Sequence, residues 1–186
     1  MVFKSVNPKS GKLLKTYECI TNKDLADKLE RSHKCFKFMK NQGASGLQQR
    51  FDKLENVKKL LTTRRQALAE TITNEMGKCI KESYGEVDKS IGMIDYSIRN
   101  AEGFLRDQEI PPSKYAKATV VQQPWGPSLS KIFDLMILGI LPWNFPIWLP
   151  FKICLPALVG GNPVLMKNSP ITPQCSDQLQ TIFQEA

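Results

Sequence analysis

Two residues at the ends of neighbouring apolar segments carry the most informative chemistry in this chain of 186 residues. Asn144 lies between two prolines in the sequence Leu-Pro-Trp-Asn-Phe-Pro at 141–146, and Lys167 ends the next apolar run. An asparagine on a turn stiffened by prolines can donate an amide N–H to a developing oxyanion. A lysine at a strand end can bind a nucleotide ribose or phosphate as a point charge. By residue type alone, both are more often ordinary surface residues.

The segments around Asn144 and Lys167 predict part of a parallel sheet. Residues 137–141 form a continuous apolar run, which is typical of a strand covered on both faces. Residues 147–159 predict an apolar helix, and residues 163–166 predict the next strand. Because ligands bind beyond the carboxyl ends of the strands in such a sheet, we expect both polar residues at the same edge.

The first part of the chain predicts two strands followed by a helix. Residues 1–20 contain two short strand patterns with a turn between them. Thr21 and Asp24 have the spacing of a capping box, so a helix is expected to begin there and to end at the glycines of 43–46. Its expected buried side consists of three apolar residues: Leu25, Leu29 and Phe36.

Two longer helices are predicted next, over 49–76 and from Ile80 to about Leu105, with Gly77 as the stop of the first. In the second, apolar residues recur at alternating spacings of four and three: Ile80, Tyr84, Val87, Ile91, Ile94, Ile98, Ala101 and Leu105. This seam favours a helix packed on its own domain, with a coiled-coil interaction module as the alternative. A strand is predicted over 117–123, and Thr172 with Pro173 predicts the start of a last helix.

Charge and composition exclude several function classes. The hydrophobic content of 41% and charged content of 24% are those of a globular protein. The net charge of +8 comes from the first 78 residues, which carry +9, while the remainder carries −1. These lysines are interspersed with acids and lack interleaved aromatic residues, which indicates solvated helix faces and no nucleic-acid partner.

Cysteine and proline usage exclude a metal site and a membrane span. The five cysteines form no CxxC pair and only one histidine, His33, is present, so we expect reduced thiols inside a cell and no bound metal. Residues 135–151 are uncharged, but three prolines and Asn144 interrupt them, which no spanning helix would tolerate. No signal or transit peptide is expected, because a strand pattern begins near Met1.

Several motifs in one order resemble the N-terminal part of the aldehyde dehydrogenase superfamily, over about residues 5–186. They are Ser-Val-Asn-Pro at 5–8, Glu-Met-Gly-Lys at 75–78, Leu-Pro-Trp-Asn-Phe-Pro at 141–146, Pro-Ala-Leu at 156–158 and Val-Leu-Met-Lys at 164–167. The sequences at 166–170 and 173–175 are most similar to the succinate-semialdehyde type. The resemblance implies an α/β fold, with helices followed by an incomplete Rossmann-like parallel sheet.

The resemblance also implies a reaction and roles for individual residues. The reaction is the NAD- or NADP-dependent oxidation of a small aldehyde, for which succinate semialdehyde is the candidate. Asn144 matches the residue whose side-chain amide stabilises the oxyanion. The backbone of Leu141, Pro142 and Trp143 matches the lining of the cofactor cleft, and Lys167 matches the contact to the adenosine ribose or its phosphate.

Three departures from the family pattern limit what this chain is expected to do alone. The residues matching the nucleophilic cysteine and the general-base glutamate would lie beyond 186, and Cys154 and Cys175 are interpreted as packing residues. Pro170 stands where many members carry a ribose-binding glutamate, so NAD and NADP are not distinguished. Residues 128–136 are additional to the family pattern, either as a true insertion or through a mis-called exon boundary. We therefore expect no turnover from this chain alone, and its being a non-catalytic subunit of a larger assembly is the alternative.

The resemblance divides the chain into three parts. Residues 1–116 are expected to be the helical start of the cofactor-binding domain, and 117–136 an oligomerisation-type strand plus the insertion. Residues 137–186 are expected to be the first, truncated βαβ unit of the Rossmann-like sheet. The expected partners are a small aldehyde and further subunits, as a homo-oligomer or a larger assembly. The expected location is the cytoplasm, with the mitochondrial matrix as the alternative.

Overall fold

We describe the fold from a computed structural model, in which residues 2–40, 42–111, 117–124 and 136–186 are described. These residues form six helices and three two-stranded sheets. In chain order the elements are β1 (Val2–Val6), β2 (Leu13–Glu18), α1 (Asn22–Lys40), α2 (Gly43–Thr63), α3 (Arg65–Met76), α4 (Ile80–Leu105), β3 (Gln108–Ile110), β4 (Ala118–Val120), β5 (Ile137–Ile140), α5 (Trp148–Val159), β6 (Val164–Lys167) and α6 (Pro173–Glu185).

The predicted capping box starts α1. The Thr21 hydroxyl accepts the Asp24 N–H at 3.1 Å, and the Asp24 carboxylate accepts the Thr21 N–H at 2.8 Å. The prediction for the buried side of α1 was wrong in part, because Leu25 and Leu29 are exposed and only Phe36 is buried. The amphipathic pattern is present, but α1 packs mainly on α2, which covers only part of it. The glycines at 43–46 begin α2, and α1 ends before them.

The single helix predicted over 49–76 is in fact two helices. α2 and α3 are separated at Arg64, whose φ and ψ of −99° and 11° are not helical. The hydroxyls of Thr62 and Thr63 bond back to the carbonyls of Lys58 and Lys59 in the last turn of α2. Such side-chain bonds compete with the backbone ladder and weaken a helix locally. No glycine or proline marks this break, so the sequence pattern continued through it.

The core lies among the five helices α2 to α6, with α4 at its centre. α4 packs against α2, α3 and α5 of its own chain, as the favoured interpretation of its apolar seam predicted. Val87, Ile94 and Ala101 of the predicted seam are fully buried, whereas Ile80 at its start is exposed. The buried residues of the cluster are Phe51, Leu54, Val57, Leu61, Leu68, Ile72, Val87, Ile94, Ala101, Ile147, Phe151, Cys154, Leu155, Val159, Cys175, Leu179 and Ile182.

The parallel pair predicted from residues 137–141 and 163–166 is present as β5 and β6, joined through α5. The expectation that β5 is covered on both faces was wrong for the described residues. Leu138 and Ile140 are 55% and 68% exposed, because α5 covers the pair from one side only. This apolar face is therefore open within the described part of the chain.

The part of the chain between α4 and β5 contains an antiparallel ribbon of β3 and β4. β3 was not predicted, and the strand expected over 117–123 is shorter, at Ala118–Val120.

The insertion at 128–136 lies outside the described residues except for Met136. The division into three parts remains a prediction. None of the described helices combines the length and apolar character needed to cross a membrane.

Gly77 and Gly85 form a matched pair for testing the turn between α3 and α4. Gly77 has φ +84°, and a Cβ there would lie 2.9 Å from Cγ of Pro8, whereas a Cβ on the exposed Gly85 would meet nothing within 4 Å. We expect Gly77→Ala to lower the free energy of unfolding by about 1–2 kcal/mol or more. Gly85→Ala should raise it by about 0.5–1 kcal/mol. Urea unfolding of both variants measures this, and equal effects would contradict the left-handed requirement at Gly77.

Candidate functional site

The five residues expected at the cofactor and oxyanion site lie at one edge of the parallel pair. Ile140 of β5 is directly opposite Lys167 of β6, and the Leu141 N–H donates to the Lys167 carbonyl at 3.1 Å. Leu141 is buried, whereas Pro142, Trp143, Asn144 and Lys167 are exposed. The fold thus brings the ends of both strands together, and the roles of these residues remain predictions.

The segment at 141–146, called here the Asn144 turn, is attached to the helical core through Lys78. The Lys78 ammonium donates to the main-chain carbonyl of Asn144 at 2.8 Å and lies 3.9 Å from the centre of the Phe145 ring. Its side chain is only 7% exposed, because the turn and α4 enclose it. A buried ammonium needs an anionic partner, and Glu86 of α4 supplies one.

Glu86 is a buried carboxylate that binds Lys78 and the N-terminus of α5 together. One oxygen accepts the N–H groups of Ile147 at 2.8 Å and Trp148 at 3.1 Å, and the other oxygen pairs with Lys78. The next N–H, of Leu149, donates to the Phe145 carbonyl, and Pro150 has none. The first turn of α5 therefore leaves none of these N–H groups unsatisfied, although no side chain of its own caps it.

Glu75, near the end of α3, caps the N-terminus of α6 in a similar way. Its two carboxylate oxygens accept the N–H groups of Gln174 at 2.7 Å and Cys175 at 2.9 Å. The prediction that Thr172 caps this helix was wrong for the side chain, because its hydroxyl is buried and has no hydrogen-bond partner among the described residues. Pro173 does stand in the first turn, where its missing N–H needs no acceptor.

These two carboxylates also determine where an anion could bind. A helix N-terminus attracts phosphate because its N–H groups are free and the helix dipole is positive there. At α5 and α6 those N–H groups already bond to Glu86 and Glu75. At this edge, the exposed Lys167 ammonium, whose contact to the Asn168 carbonyl is 3.4 Å long, is better placed to meet a ribose or a phosphate.

The cysteines nearest the sheet have the properties of packing residues, as expected. Cys154 on α5 is buried, and burial raises its pKa to about 12. Cys175 on α6 is fully buried, and burial, followed by the nearby charge of Glu75, raises its pKa well above 9.0. Both thiols are protonated near neutral pH and are therefore poor nucleophiles. Within the described ranges, no three potential metal ligands come together.

Comparison with known proteins decides the family. The model of the aldehyde dehydrogenase family matches residues 1–186. The chain belongs to the aldehyde dehydrogenase family. It is 30% identical over 184 residues to the succinate-semialdehyde dehydrogenase (NADP+) of Deinococcus radiodurans, covering 99% of this chain and 36% of that protein.

Two further similarities agree with this assignment to the aldehyde dehydrogenases. The chain is 28% identical over 182 residues to a succinate semialdehyde dehydrogenase (NAD(P)+) of Escherichia coli K12, covering 98% of this chain and 37% of that one. The crystal structure of succinic semialdehyde dehydrogenase from Streptococcus pyogenes with NADP+ superposes with a TM-score of 0.89 at 28% identity, over 98% of this chain and 38% of that chain. The α/β fold predicted for the N-terminal part of an aldehyde dehydrogenase is confirmed. The chain spans between a third and two fifths of the length of these relatives.

The residues that support the site in this aldehyde dehydrogenase chain are not among those predicted from the sequence. Lys78 and Glu75 belong to the Glu-Met-Gly-Lys motif at 75–78 but had no assigned role, and Glu86 was not singled out. A usable signal was present at the start of α5. Ile147 stands in the capping position, and isoleucine offers no acceptor, so an acceptor from elsewhere in the chain was required.

Burial of Cys154 predicts a specific loss of stability at alkaline pH. Its folded-state pKa is raised above the ordinary 9.0, so its contribution is fully present below pH 9 and is lost as the pH rises towards about 12. Over that range the free energy of unfolding should fall by up to about 1.4 kcal/mol per pH unit. Urea unfolding at pH 8, 9 and 10 should show a smaller decrease for Cys154→Ala than for the wild type.

The exposed Cys35 provides the control for this measurement. Cys35→Ala should retain the alkaline decrease of the wild type, because Cys35 is exposed and its replacement leaves Cys154 buried in the core. An identical pH dependence for wild type and Cys154→Ala would contradict the assignment of Cys154 as a buried, protonated packing residue.

Proposed function

We propose that the turn at 141–146, which carries Asn144, forms the oxyanion side of an aldehyde dehydrogenase site. Lys167, with the backbone at 141–143, forms its adenosine side. The proposed reaction is the NADP- or NAD-dependent oxidation of succinate semialdehyde, or a similar small aldehyde, to the acid. The observation that carries this proposal is the meeting of the Asn144 turn and Lys167 at one sheet edge, in a chain that belongs to the family. The names of the relatives support the aldehyde and the cofactors.

The residues present suit part of a dinucleotide. Lys167 is an exposed cation at the end of β6, and the exposed Trp143 lies beside the buried Leu141 at the end of β5. Lys167 would hold the ribose or its phosphate, and the backbone at 141–143 would line the cleft. When bound, the nicotinamide cofactor accepts the hydride from the substrate. Asn144, on a turn whose carbonyl is bonded to Lys78, would donate its side-chain amide to the oxyanion without reorganising.

The nucleophile and general base are proposed to come from outside these 186 residues. Cys154 and Cys175 are buried with raised pKa values, so neither supplies a thiolate at neutral pH. The relatives named above are more than twice as long as this chain. Those relatives are bacterial and bacteria have no mitochondrial matrix, so we propose the cytoplasm as the location.

A second candidate function, as a non-catalytic subunit of a larger assembly, is supported by the exposed face of β5. Leu138 and Ile140 present an apolar surface beside an edge of a two-stranded sheet. Such a surface favours association with another polypeptide, in a homo-oligomer or a mixed assembly. The intact mass of the protein from its natural source separates the two candidates. A mass more than twice 21.1 kDa supports the enzyme, and one near 21.1 kDa supports the subunit.

Lys167→Met is expected to weaken cofactor binding by the 186-residue chain. The substitution removes the cation but keeps most of the apolar stem, so NADP+ affinity should fall roughly tenfold, the effect of one charge-assisted hydrogen bond. Lys81→Met, at an exposed position on α4, is the matched control and should bind like the wild type. Isothermal titration with NADP+ and NAD+ measures the affinities.

Two outcomes of that titration would count against the proposal. Equal affinities for wild type and Lys167→Met would remove the role of Lys167. A wild-type chain that binds neither cofactor would contradict the idea that these residues form a cofactor surface by themselves.

The 186-residue chain is expected to show no turnover by itself. With succinate semialdehyde and either cofactor, we expect no sustained increase in absorbance of the reduced nicotinamide. A matched assay with an intact succinate-semialdehyde dehydrogenase controls the substrate and the cofactor. Steady production of NADPH or NADH by the pure chain would show that its own residues supply the nucleophile and base, which would overturn this division of the site.

A further inference from the structure

The turn that joins α3 and α4 contacts both strand-end loops of the proposed site. Glu75 lies in the last turn of α3, Lys78 lies in the connection, and Glu86 lies in the second turn of α4. Glu86 and Lys78 contact the segment at 144–148, whereas Glu75 contacts the start of α6 at 174–175. Both glutamates are almost solvent-free, at 1% and 3% exposed.

We propose that these are positioning residues with separate targets. Glu86 and Lys78 set the position of the Asn144 turn, and Glu75 sets the position of the loop that follows Lys167. The assignment of those loops to the oxyanion and the cofactor rests on the proposed function. The positioning itself depends only on the contacts within this chain.

The Asn144 turn is fixed at both of its ends. At one end the Leu141 N–H bonds to the sheet, and at the other the Ile147 and Trp148 N–H groups bond to Glu86. Between them, Lys78 binds the carbonyl of Asn144 itself. Because this bond fixes the peptide plane after Asn144, it restricts the direction in which the side-chain amide leaves the backbone.

The loop after Lys167 is fixed in an analogous way with different partners. Lys167 is held in the sheet by its carbonyl bond to the Leu141 N–H. The loop then turns through Ser169, whose hydroxyl accepts the Ile171 N–H at 3.2 Å and whose carbonyl accepts the Thr172 N–H at 3.3 Å. Glu75 binds the helix that follows, so displacement of that helix would move the whole loop.

The two loops share the bond between the Leu141 N–H and the Lys167 carbonyl, but the hydrogen bonds of Glu86 and Lys78 are separate from those of Glu75. The separate bonds make the proposal distinguishable from a general effect on stability. Loss of either glutamate cap would destabilise the fold, so unfolding measurements alone would not distinguish positioning from ordinary packing. A local readout at each loop is needed. The amide protons of Ile147, Trp148 and Leu149 report on the first loop, and those of Gln174 and Cys175 report on the second.

The experiment is residue-by-residue amide hydrogen exchange by NMR on the full 186-residue chain. The variants are Glu86→Gln, Lys78→Met and Glu75→Gln, which keep the shape of each side chain. In the Glu86 and Lys78 variants, exchange at Ile147, Trp148 and Leu149 should accelerate roughly tenfold or more, with Gln174 and Cys175 unchanged. Glu75→Gln should show the reverse pattern. The buried Ile94 amide on α4 reports global unfolding, and its change is subtracted from both.

Two matched variants control for charge and for aromatic stacking. Glu82→Gln changes an exposed glutamate in the first turn of α4. Lys89→Met removes an ammonium that lies 3.7 Å from the centre of the Trp148 ring but makes no hydrogen bond to the described loop backbone. Neither should accelerate exchange at either loop. Should Lys78→Met fail to fold, Lys78→Arg, which retains a donor to Glu86 and to the Asn144 carbonyl, should keep the wild-type pattern.

The outcomes distinguish this proposal from the proposed function. Equal acceleration at both loops in every variant, or at neither loop, would overturn the separate positioning roles. If the exchange pattern is as expected, NADP+ titration gives a second readout: Glu75→Gln should weaken binding more than Glu86→Gln does. Absence of cofactor binding with the exchange pattern intact would contradict the proposed function and leave the positioning roles standing.

Discussion

The N-termini of α5 and α6 need hydrogen-bond acceptors that their own sequences do not provide. Ile147 has no acceptor in its side chain, and the hydroxyl of Thr172 does not reach the helix. Both helix starts are largely buried, where unsatisfied N–H groups cost about as much as lost hydrogen bonds. Glu86 and Glu75 meet this requirement from the neighbouring helices. The sheet unit is thereby attached to the helical core through its backbone as well as through apolar packing.

Burial of these carboxylates is costly unless each oxygen has partners. Glu86 receives two N–H groups and the Lys78 ammonium, and Glu75 receives two N–H groups. The positive ends of the helix dipoles add a favourable field at both places. The hydrogen bonds to these carboxylates therefore orient the two loops. An apolar residue of similar size could fill the same space but could not orient them.

Sequence reasoning succeeded where the controlling interaction is local. The Thr21 and Asp24 pair lies within one turn, and Gly77 adopts the left-handed conformation that ends a helix, so both could be predicted from spacing and residue type. The meeting of Asn144 and Lys167 at one edge followed from two apolar runs and the rule for parallel strands. Neither inference required knowledge of distant neighbours.

Prediction from the sequence failed where a distant element decides whether a side chain is buried. Leu25 and Leu29 are apolar but exposed, because their helix is packed along only part of its length. Leu138 and Ile140 belong to an apolar run that predicted two covered faces, and one face is open among the described residues. Glu75 and Glu86 are the converse case. By residue type they belong in solvent, and only the helix starts brought to them by the fold explain their burial.

The same constraint limits how the proposed site could recognise a cofactor. A phosphate approaching the start of α5 or α6 would have to displace a carboxylate that already satisfies two backbone donors. That exchange gains little hydrogen bonding and brings two anions together, so these helix starts are poor phosphate sites. Recognition from this part of the chain therefore depends on Lys167, while the capped helices keep the exposed Asn144 and Lys167 at fixed positions for ligands to approach from solvent.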